Sequence, residues 1–451
     1  MTTIALAAAG GTARHSSPST SPAFLEPLRQ HQRDALGFTL ATPRLITSSP
    51  PGSGRTTTLL ALLARLVQRG EVTTDRPAVM VVPPLSVAQH QRLTQQHTSG
   101  LRFAYDPDPD RVSDSHCHVF TPETLVVAAR FLHGTGVFII DPADLLRHDK
   151  PARKAAVPLL AGADRVVLTI GSDVEDEDHF LDAVGLLSLD GLGANPASGY
   201  TRRGSRPLDL VTGKALAPAV LGFAHLKHLR EVLDQVLLVR TVDDLDAADR
   251  PAPVKPMPLG VTEHVQQADA VRRALSNRNV TEHRTARNVV RGTDGHVYSA
   301  RTEAVVASLE ETDGPVLVVL EQGFLATQLS ERLTLAEVGH VHLTGQSSPE
   351  DVVAALHKHA MDPRCRVLLL SAGHAEHGGI GLLHVRHLIA LGTLGSEARD
   401  LASQNVLASS GQTYTHHVVL LDLEREDWRR RTPARDIIGK ASGERRDDTD
   451  E

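Results

Sequence analysis

The sequence predicts an α/β protein of two parallel-sheet lobes joined by a helical linker. Three observations carry this. Short apolar runs of buried-strand type alternate with amphipathic helical stretches in two separate series. The first series opens on a strand, a glycine-rich turn and a helix, "PRLITSSPPGSGRTTTLLALLARLVQRG". Between the series the alternation stops, at a polar loop and a charged, proline-containing connector.

Residues 1–22, rich in Ser, Thr, Pro, Ala and Gly, are expected to form a disordered leader. Their short apolar stretch has no basic region before it, so a secretion signal is not expected. Residues 23–190 make the first lobe. There "LEPLRQHQRDAL" reads as a short amphipathic helix and "PRLITS" as a strand. "TTTLLALLARLVQRG" follows as a helix, with apolar residues at i, i+3 and i+4. "PAVMVVPP", "HCHVFT", "GVFIID" and "DRVVLTI" read as strands buried on both faces.

Residues 191–300 are the insertion and linker. They hold the loop "GLGANPASGYTRRGSRP", one expected long helix in "AVLGFAHLKHLREVLDQVLL", and the connector "VDDLDAADRPAPVKP". Residues 301–423 make the second lobe, with strands expected in "PVLVVLEQ", "HVHLTG", "CRVLLLS", "RHLIAL" and "THHVVLLDL". Residues 424–451 form a charged, solvated tail.

At 451 residues the chain has room for two or three domains, and its 41% apolar content is ordinary for a globular protein. No apolar run is long enough to cross a bilayer, so no membrane partner is expected. Two distant cysteines, Cys117 and Cys365, fit a reducing cytosol and a cytoplasmic location. A net charge of −7 gives no global attraction to nucleic acid, so any DNA contact needs a local basic surface. Only seven of the 47 cationic side chains are lysine, so a single Lys-to-Arg exchange carries little weight.

The glycine loop has the chemistry of a phosphate cradle. Gly52 and Gly54 let backbone N–H groups turn inward, and Thr56 opens a helix whose N-terminus favours anions. The Thr56 hydroxyl suits Mg²⁺, and Arg55 can neutralise phosphate. Against G-x-x-x-x-G-K-[ST], Ser49 replaces the first glycine and Arg55 the lysine. Read alone, the stretch is equally an ordinary strand-to-helix turn. Asp141, at the end of "VFIID", stands where a second, Mg²⁺-directed carboxylate belongs; a strand-capping aspartate is the alternative. The order strand–loop–helix, then strand–Asp, shifts the balance toward a nucleotide-binding core.

Other polar groups are weaker candidates. His116, Cys117 and His118 alternate faces on a strand and cannot converge on a metal alone. His374/His377 and His384/His387 have helical spacing but no completing ligand. The arginines of 202–206 and 429–431 read as solvated surface, with phosphate contact the alternative.

Together these segments resemble the remodeller-like (SWI/SNF-type) branch of superfamily-2 helicases, ATP-driven translocases on duplex DNA. The likeness runs from about Leu25 to Leu423. "LRQHQRDAL" matches the adenine-reading segment, with Gln32 in the place of its glutamine. "SSPPGSGRT" occupies the first nucleotide motif, "VMVVPPLSVAQH" the next strand and loop, and "VFTPETL" resembles the segment that touches the DNA backbone. "FIIDPADLLRHDKPARKAAV" takes the place of the Asp-Glu-Ala-His segment, and "VVLTIGS" that of Leu-Thr-Gly-Thr-Pro. "LREVLDQVLLVRTVDDL" and "RPAPVKPMPLGVTEHVQQADAV" look like the passage into the second lobe. "PVLVVLEQGFLATQLSERL", "HVHLTGQSSPEDV", "CRVLLLSAGHAEHGGIGLLH" and "LIALGTLGSEARDLASQNVLASSGQT" follow as the second-lobe motifs. The resemblance implies two tandem RecA-like (P-loop NTPase) lobes.

The departures fall on the catalytic groups. Pro142 stands where the family has the glutamate that polarises the attacking water, and it can neither accept nor donate a proton. Asp144 replaces the histidine that closes that motif. The final motif should supply two arginines to the γ-phosphate, and their positions hold Val406 and Ser409; Ala402 replaces its opening glutamine. Loss of one transition-state arginine costs on the order of 10³–10⁵ in rate. Leu383 stands in place of an expected asparagine. Arg55 is milder, since it keeps the charge in a bulkier, planar form.

The resemblance thus implies a degenerate ATPase. Gln32, Gly52, Ser53, Gly54, Arg55, Thr56 and Thr57 would hold ATP, and Thr56 and Asp141 would hold Mg²⁺. Duplex DNA would lie in the cleft between the lobes, and the chain would act with a protein partner, or as a scaffold, in a DNA-processing complex. The alternatives are an active DNA-dependent ATPase or translocase and a P-loop small-molecule phosphotransferase.

Overall fold

A computed structural model describes residues 22–50, 52–106, 114–132, 135–147, 149–171, 173–174, 177–189, 199–203, 220–247, 250, 254–256, 261–277, 286, 289–291, 297–320, 323–344, 347, 349–371, 382, 384–391, 415–419 and 432–433. In chain order the first part contains β1 (Ala23–Phe24), α1 (Gln30–Ala41), β2 (Arg44–Ser48), α2 (Arg55–Gln68) and β3 (Ala78–Val81). Next come α3 (Val87–His97), β4 (Thr98–Ser99), β5 (Phe103–Tyr105), β6 (Cys117–Phe120), α4 (Pro122–Ala128) and β7 (Val137–Ile140). Then follow α5 (Lys150–Gly162), β8 (Arg165–Ile170), β9 (Asp173–Val174), α6 (Glu177–Leu186), β10 (Thr201–Arg203), β11 (Val220–Phe223), α7 (Leu226–Val236) and β12 (Leu237–Val239).

These strands build a parallel seven-stranded sheet in the order β12-β2-β8-β7-β3-β6-β5. Parallel pairing forces each connection to cross over a face of the sheet, so both faces are covered. Alternate residues therefore feed two cores. Ile46, Val79, Val81, Phe138, Ile140, Val166 and Leu168 pack on one side with Ala152, Ala156 and Leu160 of α5, Phe180 and Val184 of α6, and Leu229 and Leu233 of α7. Leu45, Met80, Ile139 and Val167 pack on the other with Leu59, Leu62, Leu63 and Leu66 of α2.

Two arginines at strand starts close helix ends. Arg44 donates to the carbonyls of Leu160, Ala161, Ala163 and Leu187 at the ends of α5 and α6. Arg165 donates to Thr39, Leu40 and Thr42 at the end of α1. Each guanidinium satisfies C-terminal carbonyls that a helix leaves unpaired, at the end where a cation is favoured.

The second part holds β13 (Val254–Pro256), α8 (Val261–Ser276), β14 (Val290–Arg291), β15 (Val297–Tyr298), α9 (Ala300–Glu311), β16 (Val316–Leu320) and α10 (Gly323–Leu335). It continues with β17 (Gly339–Leu343), α11 (Pro349–Met361), β18 (Cys365–Ser371), β19 (His387–Leu391), β20 (Thr415–Val419) and β21 (Thr432–Pro433). Its six-stranded parallel sheet has the order β13-β20-β19-β16-β18-β17. Val316, Val318, Leu320, Val367, Leu369 and Ile389 pack there on Val305 and Leu309 of α9 and on Leu325, Leu329 and Leu333 of α10.

Three expectations need correction. "AVLGFAHLKHLREVLDQVLL" is not one helix: it divides into β11, α7 and β12. Segment 191–300, read as insertion and linker, supplies β12 to the first sheet and β13 to the second. His384 and His387 do not share a helix, because His387 opens β19. The C-terminal β21 pairs antiparallel with β9, beside the end of β8, and so returns the chain to the first part.

Candidate functional site

The C-terminal edge of the first sheet gathers the site. β2 runs out through Ser48, whose hydroxyl donates to Gly171 O at 2.9 Å, and Ser49 N–H donates to Ile170 O at 3.3 Å. The chain then turns at Gly52 (φ 83°) and Gly54 (φ 71°) into α2. Both lie in the left-handed region that glycine adopts without strain. Gly54 has a second reason to be glycine: a Cβ there would sit 2.2 Å from the Gln32 amide nitrogen. Gly54 is also the N-cap of α2, its carbonyl accepting from Thr58 N–H at 2.9 Å and the Thr58 hydroxyl at 3.1 Å.

α1 holds the loop from behind. His31 Nε2 lies 3.0 Å and Gln32 Nε2 3.3 Å from Ser53 O, so both donate to that carbonyl. They draw it toward α1, away from the helix N-terminus where a phosphate would lie. The other end of the Gln32 amide accepts from Arg29 N–H at 3.0 Å. Gln32 thus braces the loop, beyond the adenine contact the resemblance implies. Burial keeps the His31 imidazole below its ordinary pKa, with the Arg240 charge adding to that. It is neutral beside the loop.

On the open side, Thr56 Oγ1 is 3.3 Å from Asp141 Oδ2, and Thr169 donates to Asp141 Oδ1 at 2.5 Å. Adjacent ligands of an octahedral Mg²⁺ lie about 2.9 Å apart. The Thr56 and Asp141 oxygens, 3.3 Å apart, would have to close by a few tenths of an ångström to share such an ion, and Thr169 fixes the carboxylate's rotation. Arg55 takes a different course: its guanidinium donates to Ile170 O at 3.0 Å, at the end of β8. Thr57 occupies the first turn of α2, half-buried.

Pro142 is buried and opens the short turn Ala143–Leu146 after a cis Asp141–Pro142 peptide. Its side chain cannot accept a proton. Asp144 is buried in the same turn. His90, on α3, feels the charge of Asp141, but its ring is enclosed. Burial holds its pKa at about 4 against a smaller upward pull from Asp141, and its Nδ1 lies 3.0 Å from the Tyr105 hydroxyl. Val406, Ser409, Ala402 and Leu383 lie outside the described residues.

A recess of about 350 Å³, open to solvent, adjoins the loop on its α1 side; His31, Gln32, Thr47, Ser49, Ser53, Arg55, Thr169 and Arg240 are among its lining residues. Its lining takes in Ser53 and Arg55 of the loop but not Thr56 or Asp141, so it meets the phosphate cradle on the side away from the metal-directed pair. The structure brings together Gln32, Gly52, Ser53, Gly54, Arg55, Thr56, Thr57 and Asp141. His31, Thr169 and Arg240 were not singled out from sequence. Thr169 had a signal in "VVLTIGS", and His31 in its place beside Gln32. Arg240 had none: it falls between the expected helix, which ends at Leu238, and the connector that begins at Val242.

No protein-family model matches the sequence, and no curated protein matches it. Solved structures similar to the chain include the following three. The Sulfolobus solfataricus SWI2/SNF2 ATPase core in complex with dsDNA shares 16% identity over 90% of this chain and 91% of that one, with a TM-score of 0.41. The Sulfolobus solfataricus SWI2/SNF2 ATPase core domain shares 13% over 88% and 85%, with a TM-score of 0.39. Saccharomyces cerevisiae Dbp5, bound to RNA and ADP BeF3, shares 12% over 92% and 88%, with a TM-score of 0.51. The two lower scores carry no argument. The Dbp5 likeness establishes the fold, two tandem RecA-like lobes of the helicase type, and nothing finer.

Proposed function

We propose that this chain, with the fold of a superfamily-2 helicase core, binds ATP and Mg²⁺ in its first lobe and hydrolyses ATP slowly or not at all. One observation carries the binding half: a left-handed glycine turn, a helix N-terminus and the Thr56–Asp141–Thr169 hydroxyl–carboxylate set converge at one sheet edge. Gly52–Thr57 would cradle the phosphates, Gln32 would support the loop beside the base, and Thr56 with Asp141 would hold the metal. The bound ion would supply charge neutralisation at the phosphates. The slow half rests on Pro142, a side chain that cannot accept a proton, and on Val406 and Ser409 at the positions of the two arginines. The ordered motifs of the sequence support duplex DNA between the lobes, within a DNA-processing complex that includes a protein partner.

The spacing of Thr56 and Asp141 also favours a second reading, an active DNA-dependent ATPase that borrows its base and arginines from a partner. A small-molecule phosphotransferase explains the first lobe alone and leaves the second parallel sheet without a use. The test is ATP hydrolysis with and without duplex DNA, beside nucleotide-dependent melting of the full chain with Mg²⁺. The expected result is a melting shift without turnover, because a bound ligand stabilises the fold by mass action. DNA-stimulated turnover that Arg55→Ala abolishes would establish the second reading instead. No shift at millimolar ATP would end the nucleotide assignment.

A further inference from the structure

The loop cation that the motif assigns to phosphate, Arg55, is spent on Ile170 O. A different arginine stands uncommitted at the same edge. Arg240 directly follows β12, and its N–H donates to Ser48 O at 2.8 Å. Because β12 runs parallel to β2 with Val239 opposite Ser48, Arg240 leaves the sheet beside Ser49, where the loop begins. That is the carboxyl edge at which open α/β sheets take their ligands.

The Arg240 side chain lines the recess with Ser49, Ser53 and Arg55 and is 9% exposed. Its Nε is buried without a hydrogen-bond partner, and so is the Ser53 hydroxyl in the same recess. Asp34 and Asp244 act on it at longer range, and both are engaged elsewhere. Asp34 accepts from Gln30 Nε2 at 2.7 Å, and Asp244 accepts from Thr241 N–H at 2.6 Å and its hydroxyl at 3.0 Å. No carboxylate among the described residues forms an ion pair with Arg240. A guanidinium taken out of water without a paired anion is costly to the fold, and a ligand anion relieves that cost. The neutral His31 beside it does not compete for the anion.

We infer that Arg240 is the cation that engages the phosphate of the bound nucleotide, in place of Arg55. This rests on the nucleotide reading above and assigns its charge to a residue outside the loop motif. Arg240 also opens the stretch that leads to β13, so the phosphate contact lies at the root of the interlobe connector.

The test uses the full chain with Mg²⁺ and measures affinity by calorimetry for ATP, ADP, pyrophosphate and adenosine, in wild type and in Arg240→Gln, Arg240→Lys and Arg55→Gln. Arg240→Gln is expected to weaken ATP, ADP and pyrophosphate on the order of tenfold to a hundredfold and leave adenosine unchanged. Arg240→Lys should recover part of the loss, and Arg55→Gln should lose less than Arg240→Gln. Should Arg240→Gln fail to fold, phenylglyoxal labelling of the wild-type protein gives a second measurement, in which ATP should protect Arg240. Wild-type affinities in Arg240→Gln, or labelling that ATP does not slow, overturn the assignment to Arg240 alone. Failure of the wild-type protein to bind any of the phosphate ligands overturns the nucleotide reading with it.

Discussion

Both sheets are parallel and covered on both faces, yet β2 of the first runs out through Thr47, Ser48 and Ser49, whereas β16, β17 and β19 of the second end in the buried leucines Leu320, Leu343 and Leu391. Burying a hydroxyl without a partner costs about 1–3 kcal/mol, so a lobe carries several only where they are bonded or used. In the first lobe Ser48 bonds to Gly171 and Thr169 to Asp141. The Ser53 hydroxyl remains without a partner. In the second lobe β18 ends in Ser371, and β16, β17 and β19 end in the core. The contrast lies in β2, since β3, β7 and β8 of the first sheet also end in buried apolar residues, Val81, Ile140 and Ile170; the polar end of β2 is the part of that edge that leads into the glycine loop.

The comparison can be pressed hardest in the cores. Phe138→Ala in the first lobe should cost about 3–5 kcal/mol and Leu369→Ala in the second about 2–5 kcal/mol. Denaturant unfolding followed with and without ATP should show ligand stabilisation persisting in the Leu369 variant and failing in the Phe138 variant. Equal loss of the ATP effect in both would mean that the lobes do not divide the work.

Acid should act on the lobes alike. Burial lowers His90 in the first lobe and His359 in the second to about 4, with His384 adding to the effect on His359. Both are depressed bases, so the unfolded chain takes up a proton first as pH falls. Stability is full above about pH 6.5 and declines until pH 4, by up to about 3 kcal/mol per histidine. Replacing either by leucine should flatten the slope of stability against pH between 6.5 and 4, and an unchanged slope would remove that histidine from the account.

Glycines give a finer contrast. A Cβ on Gly54 meets the Gln32 amide in a φ +71° conformation, and one on Gly339 meets Arg364 O at 2.1 Å. Either alanine variant should lose about 1–3 kcal/mol of stability. Only Gly54→Ala should also weaken ATP. The smallest effect belongs to Asp141→Asn, which should lower ATP affinity roughly tenfold in Mg²⁺, about 1.4 kcal/mol, and little in EDTA. Equal losses in both buffers would take Asp141 out of the metal site.

The main strands were legible because parallel strands are buried on both faces and read as continuous apolar runs, as in "VFII" and "VLVVL". β12 was not, because "LREVLDQVLLV" keeps helical spacing past the point where the chain straightens. β13 was masked by its prolines, and β5 is too short to carry a pattern. In the site, Gly52, Gly54, Thr56 and Asp141 were legible, since each answers a local demand of backbone angle or ligand type. Arg240 was not. Its position follows from the pairing of β12 with β2, a contact between segments far apart in the chain, and nothing in its neighbours announces it.

The return of β21 to β9 makes the second lobe an insertion, leaving the first part after β12 and rejoining it at β21. Two stretches of chain connect it to the first part, residues 240–253 and residues 420–431. At 3.3–3.6 Å per residue neither can exceed roughly 50 Å in contour length. A single cut in either would leave the lobes joined by the other. They would still meet as parts of one molecule, at the high local concentration that tethering confers. Nicking within 420–431 should therefore leave the second lobe covalently attached through 240–253.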